Sequence, residues 1–188
     1  MTPRLEAERL VLRPFVPSDW DAIAAMLSDA EVTRFMHFAR WTAEQRSGWF
    51  AWCLDNAQQP GDDAIQWVIA RKETGDAIGW FGIGTADPAL VSGERVFGYL
   101  IDRAHWNQGY MTEALLAVLA YEFDTRGAPR LRATCNVANE ASARVMEKAG
   151  MRREKTEYGA DFEGNWGHRH HYAMTKAEYE VRQGQCAS

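Results

Sequence analysis

The stretch from residue 95 to residue 120 constrains the fold of this chain more than any other. Residues 95–102, Arg-Val-Phe-Gly-Tyr-Leu-Ile-Asp, are rich in β-branched and aromatic side chains and read as a strand. A short polar loop and a lone glycine, Gly109, follow. Then Ala114-Leu115-Leu116-Ala117-Val118-Leu119-Ala120 supplies strong helix formers with an apolar stripe. A strand that runs into an amphipathic helix needs a sheet to join and a face for the helix to cover. The first amides of such a helix lack internal partners and carry partial positive charge. A glycine beside them lets an anion approach the backbone closely. Two familiar phosphate loops are excluded: no Gly-Lys-Ser/Thr follows the glycine, and no Gly-x-Gly-x-x-Gly occurs.

The other segments extend this frame. Residues 10–15 read as a strand stopped by Pro14 and Pro17. Ser18 or Asp19 is placed to cap a helix over residues 21–27, with Ile23, Met26 and Leu27 on one face. Thr42-Ala43-Glu44-Gln45 has the capping-box pattern and opens a second helix carrying Trp49, Phe50, Trp52 and Cys53. Residues 66–70 and 77–84 form strands joined by the turn Thr74-Gly75-Asp76, hence a hairpin. The helix after Gly109 is expected to reach about Phe123. A strand at 131–135, a helix at 140–149, a strand after Gly150 and a strand at 168–174 come next, with a terminal helical turn or tail from Lys176. This order predicts an α/β (α+β) fold, a mixed sheet with helices on both faces, in one domain over residues 1–188.

Composition narrows the function classes. Eight Trp and eight Phe in 188 residues supply a sizeable core without staples. No apolar run approaches the length of a membrane span, and the first residues show no secretory apolar segment. Three widely spaced cysteines, Cys53, Cys135 and Cys186, fit neither a disulfide framework nor a zinc site, and point to a reducing cytoplasm. Net charge is −5 with no basic stripe, so neither nucleic acid nor a membrane surface is an expected partner. An anion site must therefore arise from local geometry rather than from overall charge. His168 and His170 share a strand face, but two ligands make no metal site, and none is expected.

Phe97-Gly98-Tyr99-Leu100-Ile101 followed by Trp106-Asn107-Gln108-Gly109-Tyr110-Met111-Thr112-Glu113-Ala114-Leu115 resembles the coenzyme-binding motif of the GNAT-superfamily N-acetyltransferases. Residues 139–151, from Asn139 through Ser142 and Arg144 to Met151, resemble the family's next motif. With the opening Leu5-Glu6-Ala7-Glu8-Arg9-Leu10-Val11-Leu12-Arg13, the chain is most similar to the RimJ/RimL type, the ribosomal-protein N-terminal acetyltransferases and their relatives, over about residues 5–180. The resemblance implies a mostly antiparallel twisted sheet, with residues 181–188 as a tail. It implies acetyl-CoA as co-substrate and a primary amine, on a protein N-terminus or a small molecule, as acceptor. A homodimer would also fit it. The backbone of Leu100, Ile101 and Asp102 would pair with the pantetheine arm. The amides of Gln108, Gly109, Tyr110, Met111 and Thr112 would hold the pyrophosphate. Asn139 would bind the pantetheine region, Ser142 would sit near the coenzyme sulfur, and Arg144 would reach towards the adenosine phosphates. His37, Phe38 and Trp41 would flank the acceptor. Alternatives of the same resemblance are succinyl-CoA or another acyl donor, and a coenzyme-binding module without catalysis.

Direct attack on a thioester sets three needs: a neutral amine, a stabilised oxyanion and help for the leaving thiolate. Backbone N–H groups near Leu100 and Ile101 are candidates for the second, and Ser142 for the third. Many members place a Tyr where this chain has Met146; the RimJ/RimL type often uses the serine instead, and Ser142 is present. Candidates for the base are Glu94, Glu157, Asp161 and His37. At pH 7 roughly a tenth of an α-amine is neutral, against well under a thousandth of a lysine amine, so an α-amine needs only a weak base.

Overall fold

Near-continuous buried runs at residues 64–71 and 77–84, and an alternation of buried and half-buried positions along 130–136, fit one sheet. In the computed structural model, which describes residues 1–59, 64–85, 93–160 and 166–186, the strands are β1 (Leu5–Glu6), β2 (Leu10–Arg13), β3 (Ala64–Arg71), β4 (Ala77–Gly84), β5 (Arg95–Ile101), β6 (Arg130–Asn136), β7 (Arg152–Ala160) and β8 (Trp166–Thr175). They are hydrogen-bonded in the order β1-β2-β3-β4-β5-β6-β8-β7. β5 pairs with β6 in parallel; β1–β2, β2–β3, β3–β4, β6–β8 and β7–β8 are antiparallel. The mixed, mostly antiparallel sheet expected from the sequence is therefore present. The helices are α1 (Trp20–Ser28), α2 (Ala30–Thr33), α3 (Ala43–Gln58), α4 (Tyr110–Ala120), α5 (Glu140–Lys148) and α6 (Lys176–Cys186).

The chain forms two compact units, Met1–Gly84 with Gly98–Ala114, and Thr85–Phe97 with Leu115–Ser188. The first is organised by aromatic burial. Phe15, Phe38, Phe50 and Trp80 are buried in one apolar cluster, with Trp20, Trp41 and Trp49 packed against it. Their rings meet edge to face, as at Phe38–Trp80 (5.4 Å between centroids) and Trp49–Trp80 (5.5 Å). The β3–β4 hairpin supplies Val68, Ala70 and Trp80 to this cluster, and α1 supplies Ile23, Met26 and Leu27 as the helical spacing predicts. Gly79 of β4 has to be glycine for a steric reason: a Cβ there would lie 2.7 Å from the Leu100 carbonyl oxygen.

One local expectation changes. Asp19 does not cap α1 with its side chain. Its carboxylate instead takes both Arg13 guanidinium nitrogens, at 2.7 and 2.8 Å, and the Val16 N–H at 2.9 Å. A bidentate arginine outcompetes a single capping amide. The capping box at Thr42 and Gln45 forms as expected.

In the second unit β8 lies between β6 and β7. After Ala120 the chain of α4 widens into a π-helical turn, Tyr121–Thr125, which sinks Glu122 completely (0% exposed) next to Arg95 at 2.9 Å. Lys176 Nζ donates to the Phe123 carbonyl of this turn at 3.0 Å. The tail expected from residue 181 is instead the second half of α6. Tyr179 anchors that helix by stacking on Phe123 (4.9 Å) and donating its hydroxyl to Asp124 (2.8 Å), while Glu178 accepts the Thr175 N–H at its start.

Candidate active site

In the first unit, the loop between β5 and α4 begins at Asp102. That carboxylate accepts from Ala104 N–H and meets His105 Nδ1 at 3.2 Å, holding a short 3-10 turn at Arg103–His105. The chain then passes through two left-handed residues, Asn107 (φ 59°) and Gly109 (φ 82°). Such a conformation is routine for glycine and open to asparagine, and it turns successive N–H groups to one side. The Glu113 N–H donates to the Gly109 carbonyl at 3.0 Å. The amides of Tyr110, Met111 and Thr112 come before that first rung of the helix and have no intrahelical acceptor.

The bulky residues of this loop do not obstruct it. Trp106 turns back to donate its indole N–H to the Ile101 carbonyl at 2.9 Å, and Tyr110 and Met111 are buried. Gln108 folds its amide onto the Ala104 carbonyl at 3.0 Å. Asp102, expected to offer its backbone alongside Leu100 and Ile101, has its N–H committed to the Ile78 carbonyl at 2.8 Å. Leu100 is buried and Ile101 half-buried. Arg9, in the sequence only one residue of a family motif, lies against this loop. Its Nε meets Glu113 Oε2 at 2.8 Å, its backbone N–H meets Glu113 Oε1 at 2.6 Å, and Nη1 reaches the Gln108 carbonyl at 3.1 Å. The readable signal was Glu113 itself, an acid in the first turn of a helix meant for an anion.

In the second unit, Asn139 caps α5, accepting the Ser142 N–H at 3.2 Å. Replacing Asn139 with alanine should cost about 1 kcal/mol of stability, measurable by chemical denaturation. Ser142 is half-buried in the first turn, and its hydroxyl hydrogen-bonds the Cys135 thiol. Burial pushes that thiol up to about 11, so Cys135 is inert as a nucleophile at neutral pH. Arg144 is exposed and pairs loosely with Glu140 at 3.5 Å.

The candidate bases are placed differently from one another. Glu94 is buried and carries Arg130 at 3.1 Å and Arg132 at 3.5 Å. Glu157 lies on exposed β7, where the Lys155 hydrogen bond (2.8 Å) holds its carboxyl below the usual value, and it also pairs with His171 at 2.9 Å. Burial lowers the His171 pKa. Asp161 and the side chain of His37 lie outside the described residues. Phe38, expected beside the acceptor, is 1% exposed in the aromatic core; Trp41 is half-buried against it at 4.7 Å. Large apolar rings at that spacing are drawn into the core before they can line a wet surface. Among the described residues no group of acids, histidines and cysteines is arranged to hold a metal.

Comparison with known proteins completes the picture. Residues 9–152 match the acetyltransferase (GNAT) domain family. The chain is 32% identical over 156 residues to the uncharacterized N-acetyltransferase YoaA of Bacillus subtilis (strain 168), spanning 82% of this chain and 85% of YoaA. It is 28% identical over 182 residues to the uncharacterized N-acetyltransferase YnaD of the same organism, spanning 93% of this chain and 98% of YnaD. Among solved structures it is similar to a GNAT-family acetyltransferase from Bacillus anthracis, with a TM-score of 0.78 and 25% identity over 93% of this chain and 99% of that one. RimL, the ribosomal L7/L12 α-N-protein acetyltransferase solved with coenzyme A, shares the fold at a TM-score of 0.76 and 18% identity, over 92% of this chain and 98% of RimL. The two left-handed residues before α4, the capped serine at the start of α5 and this family match agree: the chain belongs to the GNAT family of acetyltransferases.

Proposed function

We propose that the protein transfers acetyl from acetyl-CoA to a primary amine by direct attack, as a RimJ/RimL-type enzyme of the cytoplasm. The observation that carries this reading is the loop opening α4, where left-handed Asn107 and Gly109 precede helix amides without internal acceptors. That geometry suits a diphosphate, and it lets a chain of net charge −5 bind one. The coenzyme A bound in RimL supports the same donor here.

Acetyl-CoA supplies an acyl group already activated as a thioester. The amides of residues 108–112 bind and orient its diphosphate. The backbone at Leu100 and Ile101 is the part that the family resemblance assigns to the pantetheine arm and to the oxyanion. Asn139 holds the start of α5, and the Ser142 hydroxyl donates a hydrogen bond to the departing sulfur, which takes up the proton that the attacking amine gives up as the C–S bond breaks. Glu94 and Glu157 are both engaged by cations, which favours an acceptor that loses its proton without a strong base. An α-amine of a peptide meets that condition better than a lysine side chain.

The test is coenzyme-thiol release from acetyl-CoA, with a panel of free-N-terminus peptides, small amines and Nα-blocked lysine peptides. Acceleration by at least one free α-amine peptide is expected. Acceleration by none of the panel, with acetyl-CoA bound, would leave a binding module rather than an enzyme. Ser142→Ala should lower turnover by about 10²-fold, in the range of a lost proton donor, with acetyl-CoA affinity within about twofold. Unchanged turnover would return Ser142 to a purely structural place in the first turn of α5.

A further inference from the structure

The opening segment Arg9-Leu10-Val11-Leu12-Arg13 helps to mark the family, yet none of its residues has a part in the reaction described above. We infer that Arg9 is a positioning residue that sets the charge and the peptide orientation of the donor loop. This rests on the reading of that loop as the diphosphate site.

The guanidinium makes every contact needed for the role. Nη1 takes the Gln108 carbonyl at 3.1 Å. A trans peptide is planar, with its carbonyl and N–H on opposite sides. With the Gln108 oxygen turned to Arg9, the Gly109 N–H must point away from it, to the side on which a ligand can be met. Nε and the Arg9 backbone N–H together occupy both oxygens of Glu113. Glu113 is in the first turn of α4, where its bare charge would oppose a diphosphate; the arginine cancels it. The guanidinium plane is fixed over the ring of buried Tyr110, 4.3 Å from its centroid. Its last nitrogen, Nη2, would stand 3.5 Å from a Cβ built on Gly109. Lysine could keep the charge but could not bridge the carbonyl and the carboxylate at once.

The effect should therefore track the diphosphate and not the rest of the coenzyme. Calorimetry would compare CoA with pantetheine, which lacks the phosphates, and acetyl-CoA would be compared with acetyl-pantetheine as donor. Arg9→Met should weaken CoA binding about tenfold and leave pantetheine binding within about twofold. It should raise KM for acetyl-CoA without a comparable change in kcat. Arg9→Lys should recover part of the loss, and it carries the test if Arg9→Met fails to fold. Adding Glu113→Gln to Arg9→Met should restore CoA binding by about threefold or more, because the unopposed acid is then gone. Equal losses on CoA and pantetheine, no loss on CoA, or a double variant weaker than the single would each overturn the role of Arg9. A wild-type protein that binds neither CoA nor acetyl-CoA would instead overturn the proposed function.

Discussion

Gly109→Glu is expected to abolish coenzyme A binding, with at least a 10²-fold loss of affinity in calorimetry. Two separate penalties combine. Gly109 has φ 82°, a conformation that costs a side-chain-bearing residue roughly 1–2 kcal/mol. The new carboxylate would also occupy the anion site itself and draw on Arg9 Nη2, which is 3.5 Å from the position of its Cβ. Gly109→Ala separates the two, since it keeps the strain and adds no charge; a loss of about tenfold or less is expected for it. Full affinity in the glutamate variant would remove this loop from the donor site.

Arg95→Met should be the most destabilising single change described here. Arg95 and Glu122 are 2.9 Å apart, with side-chain exposures of 6% and 0%. Removing one member of a buried pair strands the other, at a typical cost of 3–5 kcal/mol. For a chain of this size that corresponds to a fall in melting temperature of about 10 °C. Replacing both, as Arg95→Met with Glu122→Leu, should recover most of the loss. Burial raises the Glu122 pKa, and nearby Arg95 and Arg126 pull it back only in part. The folded state thus holds the proton more tightly than the unfolded chain. The contribution of this carboxyl is full below its unfolded value and falls as pH rises through the raised one. Without Arg95 only Arg126, 3.8 Å away, still opposes the rise, so the gap in melting temperature between wild type and Arg95→Met should widen from pH 5 to pH 8. A gap that stayed constant would mean that Glu122 is not the stranded group.

The fold was legible wherever local chemistry and burial agree. The capping box at Thr42, the turn at Thr74-Gly75-Asp76 and the stripe of α1 all appear in the structure where the residues imply them. Short elements held by tertiary contact, β1 and α2, have too few residues to show a period. The π-helical turn at Tyr121–Thr125 leaves no local trace either, because its reason is the buried carboxylate of Glu122 and a cation in β5. For the candidate site, the glycine before α4 and the serine after Asn139 could be read from pattern. The engagement of Glu94 by Arg130 and Arg132 and the part played by Arg9 could not, since each depends on residues far apart in the chain.

That last separation has a bearing on biosynthesis. Arg9 and Glu113 are 104 positions apart. Domains emerge and fold from the N-terminus during synthesis. Apart from Leu100, the buried aromatic cluster is drawn from residues no later than Trp80. A nascent chain can therefore begin to settle its aromatic centre before Glu113 has emerged from the ribosome. Closing so long a loop adds little entropy cost over a shorter one, so the clasp waits on translation rather than on stability. A chain arrested just short of Glu113 is expected to be partly folded and unable to grip its donor, which ties the ability to bind coenzyme to how far synthesis has advanced.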